Sequence, residues 1–75
     1  METIGERVRA RRQQLGLTLD AVGEELGVSR QAVHQLERAG DDMRVQRVQD
    51  LARALQCRLV WLLSGTGPVT GRIRS

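Results

Sequence analysis

The chain has 75 residues and a formal net charge of +3, which allows one domain with a small core. It contains one Cys, so no intrachain disulfide forms and a cytoplasmic setting is expected; no apolar stretch reaches the roughly 20 residues of a membrane span. With one Trp and no Phe or Tyr, the chain lacks the aromatic side chains on which single-stranded nucleic acids stack. The mildly basic balance permits a nucleic-acid partner without requiring one.

A first helix is predicted at residues 3–15, around the apolar residues Ile4 and Val8. Gly16 is expected to end it, because glycine readily adopts the left-handed conformation that follows many helices. The arginines of this helix fall mostly outside the apolar stripe. Most of them are expected to be solubility charges.

Two short helices joined by a tight corner are predicted within residues 19–37. Thr18 is the expected N-cap of the first of them, and Gly27 is the residue at which that helix ends. Ser29 is the expected N-cap of the second, whose Val33 points inward. The outer face of the second helix is left with the polar side chains Arg30, Gln31, His34 and Gln35. This arrangement is typical of a helix-turn-helix, and the alternative is a plain corner of two helices with a polar face.

The residue types on that outer face favour duplex DNA as a ligand. Arg and Gln carry forked donors and acceptors that match guanine and adenine edges in the major groove. A recognition helix enters the groove with its N-terminal end, where Arg30 and Gln31 lie. The spacing alone leaves DNA binding and a solvated helix face equally open.

The second half of the chain begins with a polar connection at residues 38–43, in which Asp41 or Asp42 is the expected cap of the next helix. An amphipathic helix is predicted at 44–56. The apolar run 57–63 has two interpretations. It fits a last helix, which the ending WLLSG favours, or a strand that pairs with a second chain across a dimer.

The expected organisation is a helix-turn-helix domain at residues 1–67 and a flexible C-terminal tail at 68–75. One His and one Cys fall short of the ligand set of a structural zinc site. Cys57 is expected to be a small core residue, because no histidine lies near it in sequence to activate the thiol. No paired carboxylates stand out either. No metal, cofactor or enzymatic activity is therefore expected.

Four motifs follow one another along the chain: IGERVRARRQQLGLT, GVSRQAVHQLE, VQDLARAL and WLLSGTG. In these motifs, across roughly residues 4–67, the chain resembles the Cro/C1-type repressors. This is the XRE family of small helix-turn-helix regulators, and the order is close to that of lambdoid phage repressors and Cro proteins. The resemblance implies an all-α fold, a compact five-helix bundle of the lambda-repressor type. It also implies binding to a palindromic double-stranded DNA operator as a homodimer.

The resemblance assigns DNA contacts to particular residues. The expected DNA-binding set is Thr18, Ser29, Arg30, Gln31, His34, Gln35, Arg38, Arg44 and Arg47. Within it Arg30, Gln31 and Gln35 are the expected base readers. Ser29 and Arg44 are expected at the DNA backbone, with Arg47 near Arg44.

Two further assignments are structural. Arg12 and Glu37 match a pair of residues that form an ion pair in the family. Trp61 matches a tryptophan that packs near the dimer contact. The expected dimer-interface residues are Arg58, Leu59, Trp61 and Leu62.

The sequence departs from the family pattern at several positions. Leu19 stands where Gln usually bonds phosphate, and Gly23 stands where Ala is usual, which allows close helix packing. The segment that follows Glu37 is one residue longer than in the family. Gln56 and Arg58 replace a Gly that ends the fourth helix and a Ser that caps the fifth. This last departure weakens the helical interpretation of the apolar run.

Two functions remain after this comparison. The favoured one is a repressor-type transcription regulator, whose partners are an operator and a second copy of the chain. The alternative is an antitoxin that binds a toxin protein and represses its own operon. A toxin-binding segment is expected outside the motif, in residues 64–75, which lack the apolar anchors of a good interface. No membrane partner is expected in either case.

Overall fold

The computed structural model describes residues 2–71, which contain five helices joined by short loops. They are α1 (Ile4–Gln14), α2 (Leu19–Leu26), α3 (Arg30–Arg38), α4 (Val45–Ala54) and α5 (Leu59–Ser64). The predicted all-α fold with five helices is confirmed. The strand alternative for 57–63 is wrong, because α5 occupies most of that run. Residues 72–75 of the predicted tail lie outside the described residues.

The core forms where small aliphatic side chains from all five helices meet. Its fully buried members are Val8, Val22, Val33, Val48, Leu51, Leu55 and Leu62. Trp61 and Leu59 pack against this cluster from its edge. Because a core of this size supplies little free energy, hydrogen bonds at several helix ends add to the stability that packing provides.

Two arginines of α1 are buried, and the expectation that they are solubility charges is wrong. Arg7 is 5% exposed, and its Nε and Nη2 donate to the carbonyls of Leu62 and Leu63 at 2.9 and 3.0 Å. Arg11 bonds the end of α4 in the same way, because its Nε donates to the Leu55 carbonyl at 3.0 Å. These carbonyls lack partners within their own helices and carry partial negative charge. Burial of each guanidinium is therefore matched by helix-end acceptors.

Neither of the two aspartates that are expected to cap α4, Asp41 and Asp42, does so, and Asp41 bonds the start of α1 instead. Asp41 Oδ1 accepts a hydrogen bond from the Ile4 N–H at 2.9 Å. The N-cap of α4 is Arg44, whose side chain makes no capping bond. The reason is that the loop before α4 passes the start of α1, where free N–H groups attract a carboxylate. Thr3 and Glu6 complete that helix start as a reciprocal capping box.

The connection between α4 and α5 uses residues that are unusual for their positions. Gln56 has φ +53°, in the left-handed region, and the next N–H, of Cys57, donates to the Ala52 carbonyl at 3.0 Å. This is the helix ending at which glycine is common. Arg58 is the N-cap of α5 without a side-chain bond. Its N–H donates instead to the Val69 carbonyl at 2.8 Å, so the segment after α5 returns to the start of that helix.

Candidate nucleic-acid interface

The corner between α2 and α3 is tight because two glycines permit it. Gly27 ends α2 with φ +75°, and the Val28 N–H then donates to the Gly23 carbonyl at 2.8 Å. A Cβ atom at Gly23 would lie 2.6 Å from the Val28 oxygen, well inside contact distance. The close packing expected at Gly23 is therefore present. It fixes the direction in which α3 leaves the turn.

Helix α3 has one buried face and one exposed face. Val33 is fully buried in the core, and Glu37 is 6% exposed. Predicted DNA-binding residues occupy the opposite side, where all are exposed: Arg30, Gln31, His34, Gln35 and Arg38. Because positions three and four apart lie on the same side of a helix, these side chains form one continuous polar surface.

Arg30 makes only a loose contact within the chain. Its Nε lies 3.9 Å from Asp20 Oδ1, and both side chains are more than half exposed, at 64% and 68%. Exposed ion pairs at this distance contribute little, because water and salt screen them. The Arg30 guanidinium can therefore turn to an external acceptor at small cost.

Thr18 and Ser29 cap the two helices of the motif. Thr18 Oγ1 accepts from the Ala21 N–H at 3.0 Å, and Ser29 Oγ accepts from the Ala32 N–H at 3.1 Å. Both predicted N-caps are confirmed. Leu19, which replaces the usual Gln, packs against the core. The start of α2 therefore offers its backbone N–H groups, rather than a side-chain amide, to an anion.

An ion pair anchors the last turn of α3 to α1. Arg12 Nε lies 2.6 Å from Glu37 Oε2, and Nη2 donates to Oε1 at 3.2 Å. The remaining Nη1 donates to the Leu17 carbonyl at 3.0 Å. The Glu37 side chain is 3% exposed, so this pair is largely shielded from water. It holds the recognition helix in position without using any group of its outer face.

A groove between α1 and α3 brings a further arginine beside the predicted set. His34 and Arg38 line it from α3, and Arg9 lines it from α1. Sequence reasoning missed Arg9. Its distance of three residues from Arg12 places both on one side of α1, but only the packing of α1 against α3 shows that this side lines the groove. Apart from the Arg12–Glu37 pair, the charged residues of the groove are Arg9, Arg38 and Glu6.

The start of α4 carries the other predicted phosphate contacts. Arg44 is exposed and pairs with no acidic side chain among residues 2–71. Arg47 is about one-third exposed, with Nη1 3.9 Å from Asp50 Oδ2. Because α4 lacks a side-chain N-cap, its first N–H groups remain available beside Arg44. This end of α4 is suited to an anion.

The predicted dimer-interface residues fall into two groups. Leu62 is fully buried in the core of its own chain, so its assignment to the interface is wrong. Helix periodicity places it opposite the exposed side of α5, which carries Val60 at 58% and Leu63 at 37% exposure. Both residues lie within 58–63, the segment through which the sequence predicts dimerisation. The other predicted contacts are partly exposed: Leu59 and Trp61 lie at the edge of the core, and Arg58 precedes them as the N-cap of α5.

Among residues 2–71, no three His, Cys, Asp or Glu side chains are grouped as metal ligands would be. None of the described helices has the length and apolar character that crossing a membrane requires. Cys57 is half-buried at the end of α4. Burial raises the pKa of its thiol above the ordinary value, and the positive charge of Arg11 partly opposes that rise. This environment suits a packed thiol more than a reactive one.

Known proteins share both the sequence and this geometry. The chain is 39% identical to the repressor protein C2 of Salmonella phage P22 over 64 residues, which are 85% of this chain and 30% of the repressor. It is 36% identical to the transcriptional regulator DicA of Escherichia coli over 63 residues, or 84% of this chain and 47% of DicA. The chain therefore spans less than half the length of either relative.

Solved structures give the same result. The crystal structure of the P22 c2 repressor bound to a synthetic operator superposes with a TM-score of 0.77 at 38% identity, covering 88% of this chain and all of that one. The family model described as helix-turn-helix matches residues 8–62. The chain thus belongs to the helix-turn-helix family, in its Cro/C1 (XRE) branch.

Proposed function

We propose that this chain is the DNA-binding domain of a repressor-type transcription regulator, which binds a palindromic double-stranded operator as a homodimer. The observation that carries the proposal is the two-sided character of α3. Its inner side is held by Val33 in the core and by the Arg12–Glu37 pair, while its outer side presents unoccupied polar groups. A rigid helix with a free polar face behind a tight turn is the element that enters a major groove.

Three side chains of that face are proposed to read bases. Arg30 and Gln31 lie in the first turn of α3, and Gln35 follows one turn after Gln31. A guanidinium can donate to guanine O6 and N7, and a glutamine amide can bond both N6 and N7 of adenine. Each such two-bonded contact discriminates against a wrong base by about 1–3 kcal/mol.

The remaining predicted residues are proposed to hold the DNA backbone. They are Thr18, Ser29, His34, Arg38, Arg44 and Arg47. Arg9 joins them through the groove that it lines with His34 and Arg38. Phosphate contacts supply affinity and fix the orientation of the recognition helix, but they carry no sequence information.

Self-association is proposed through the exposed side of α5. Val60 and Leu63 are its exposed apolar groups, and Trp61 lies partly exposed between them in sequence. Two copies related by a two-fold axis would place their α3 helices in half-sites about one turn of DNA apart. The P22 repressor structure bound to an operator supports this arrangement by similarity.

The proposed function involves no catalytic step and no cofactor. Its proposed location is the cytoplasm. The family of transcription regulators supports the first of these by analogy. No specific feature of residues 2–71 favours the antitoxin alternative, whose toxin-binding segment was expected in residues 64–75. A toxin partner stays a prediction that co-purification with a second small protein would support.

The central experiment is selection of bound sequences from random duplex DNA, followed by titration of the selected site. We expect a palindrome that the wild-type chain prefers over scrambled DNA. Arg30→Ala and Gln31→Ala should lower that preference while the circular dichroism spectrum stays unchanged. Arg53→Ala and Gln13→Ala are matched controls, since both remove exposed side chains of the same types elsewhere on the surface. Unchanged selectivity in both α3 variants would rule out their role as base readers.

A further inference from the structure

The start of α1 is held by four hydrogen bonds that satisfy all of its free N–H groups. Two are local, because Thr3 and Glu6 exchange side-chain bonds with each other's backbone N–H at 2.9 and 3.2 Å. The other two come from the loop between α3 and α4. The Ile4 N–H donates to Asp41 Oδ1, and the Gly5 N–H donates to the carbonyl of Gly40. Both distances are 2.9 Å.

The same part of α1 lies directly against α3. A Cβ atom at Gly5 would be 2.6 Å from the Glu37 carbonyl oxygen and 2.8 Å from that of Leu36. The two helix backbones are therefore in contact at the last turn of α3. Any loop residue that is bonded to the start of α1 is thereby held at a set distance from the recognition helix.

Asp41 is the side chain that makes this connection, and Arg44 follows it closely. The Met43 N–H donates to the Asp41 carbonyl at 3.0 Å, and the Met43 side chain packs against the core. Arg44 comes next, as the N-cap of α4. The backbone between Asp41 and Arg44 is thus constrained at both ends. Without the Asp41 side-chain bond, the loop would be tied to the start of α1 only through the Gly40 carbonyl, and the residues after Gly40 would have more freedom to move.

We propose that Asp41 is a positioning residue for DNA binding: by tying the α3–α4 loop to α1, it holds Arg44 where a phosphate lies when α3 is in the major groove. This inference rests on the proposed function. An acidic residue beside DNA ordinarily weakens binding, because it repels phosphate. Here the carboxylate acts through its hydrogen bond, and its loss should weaken binding although the net charge becomes more positive.

The test measures the dependence of operator affinity on salt concentration for Asp41→Ala, Asp41→Asn and Asp42→Ala. Loss of one phosphate contact lowers the slope of log affinity against log salt by about 0.9. Asp41→Ala should lose most of that amount, whereas Asp41→Asn should keep the wild-type slope, because its amide oxygen still accepts from Ile4. Asp42→Ala is the matched control, since it makes the same charge change one residue away at a side chain without a hydrogen bond among residues 2–71.

Global stability alone does not change this slope while the protein remains folded, so a merely structural role of Asp41 would leave it unaltered. If Asp41→Ala does not fold, Asp41→Glu decides, because it retains the charge and displaces the acceptor by one methylene group. A reduced slope in Asp41→Glu supports the proposal, and a wild-type slope overturns it.

Arg44→Ala separates this inference from the proposed function. If Arg44→Ala leaves the slope unchanged, the phosphate contact assigned to Arg44 is wrong, and the proposed role of Asp41 fails with it. If Arg44→Ala lowers the slope while Asp41→Ala behaves like Asp42→Ala, only the role of Asp41 is wrong. The double variant Asp41→Ala/Arg44→Ala should match Arg44→Ala alone. A further loss in the double variant would show that the two residues act independently.

Discussion

Replacing Arg12 with Met should strongly destabilise the fold, because it leaves the Glu37 carboxylate without its partner. That side chain is 3% exposed, and both of its oxygens bond the Arg12 guanidinium. Removing one member of a buried pair typically costs about 3–5 kcal/mol. A domain of this length has a total stability of roughly 4–11 kcal/mol. Arg12→Met should therefore remove a large part of the total free energy of unfolding.

Replacing the partner residue, Glu37→Met, should lower the free energy of unfolding by less than Arg12→Met does. The Arg12 side chain is 14% exposed and keeps its bond to the Leu17 carbonyl, so part of its charge remains solvated. The double variant Arg12→Met/Glu37→Met removes both charges and leaves apolar side chains of similar volume. Such replacements are often neutral or stabilising relative to the ion pair. We therefore expect the double variant to be more stable than Arg12→Met.

Urea unfolding followed by circular dichroism measures these differences. Arg53→Met is the matched control, because Arg53 also pairs with a carboxylate, Asp50 at 2.8 Å, but its side chain is 80% exposed. It should change the free energy of unfolding by less than about 1 kcal/mol. The reasoning is refuted if Arg12→Met costs no more than Arg53→Met. It is also refuted if the double variant loses the sum of the two single losses.

Three further changes test other parts of the fold. Gln56→Gly should raise the unfolding free energy by about 0.5–1 kcal/mol in urea titration, because glycine adopts φ +53° without strain; a loss of stability would contradict this. Gly23→Ala should lower the melting temperature despite the better helix propensity of Ala, because its Cβ would meet the Val28 oxygen at 2.6 Å. Iodoacetamide should alkylate Cys57 more slowly at mildly alkaline pH than it alkylates a free thiol, because burial raises the pKa. Arg11→Met should shift that rate profile further to alkaline pH if it keeps the wild-type circular dichroism spectrum, and a shift to lower pH would oppose the assigned charge effect.

The parts of the fold that depend on neighbouring residues were predictable from sequence. Thr18 and Ser29 bond N–H groups three residues ahead, and Gly27 adopts its left-handed conformation at the end of the same helix. The apolar spacing likewise placed Val33 inside and Arg30 outside. Each of these features is determined by a short window of the chain, in which periodicity and capping rules apply.

The features that sequence reasoning missed depend on distant residues. The acceptors of Arg7 and Arg11 lie 55 and 44 residues further along the chain, and Asp41 bonds a residue 37 positions before it. Nothing in a local window distinguishes an arginine that bonds a helix end from one that is solvated. Leu62 was misassigned for a related reason, since the run 57–63 is apolar on nearly every side and only the packing of α5 decides which side is buried.

For the candidate site, the sequence predicted which face of α3 is exposed. The exposed face of α3 follows from helix geometry, whereas the effect of Leu19 on phosphate binding at the start of α2 stays a prediction. The contribution of Arg9 depends on how α1 lies beside α3, which no local pattern specifies. Which exposed side chains meet bases and which meet phosphate stays a prediction, because their final rotamers depend on the ligand.

The hydrogen bonds from Arg7 to the end of α5 have a consequence for when the chain folds during its synthesis. The helix that carries Arg7 is made first, yet its acceptors, the Leu62 and Leu63 carbonyls, are made 55 and 56 residues later. Until then this guanidinium has only water and Glu2 as partners, and its two helix-end acceptors are absent. A nascent chain that stops before Leu62 should therefore stay sensitive to protease along its whole length. The five helices should become protected together, in one late cooperative step.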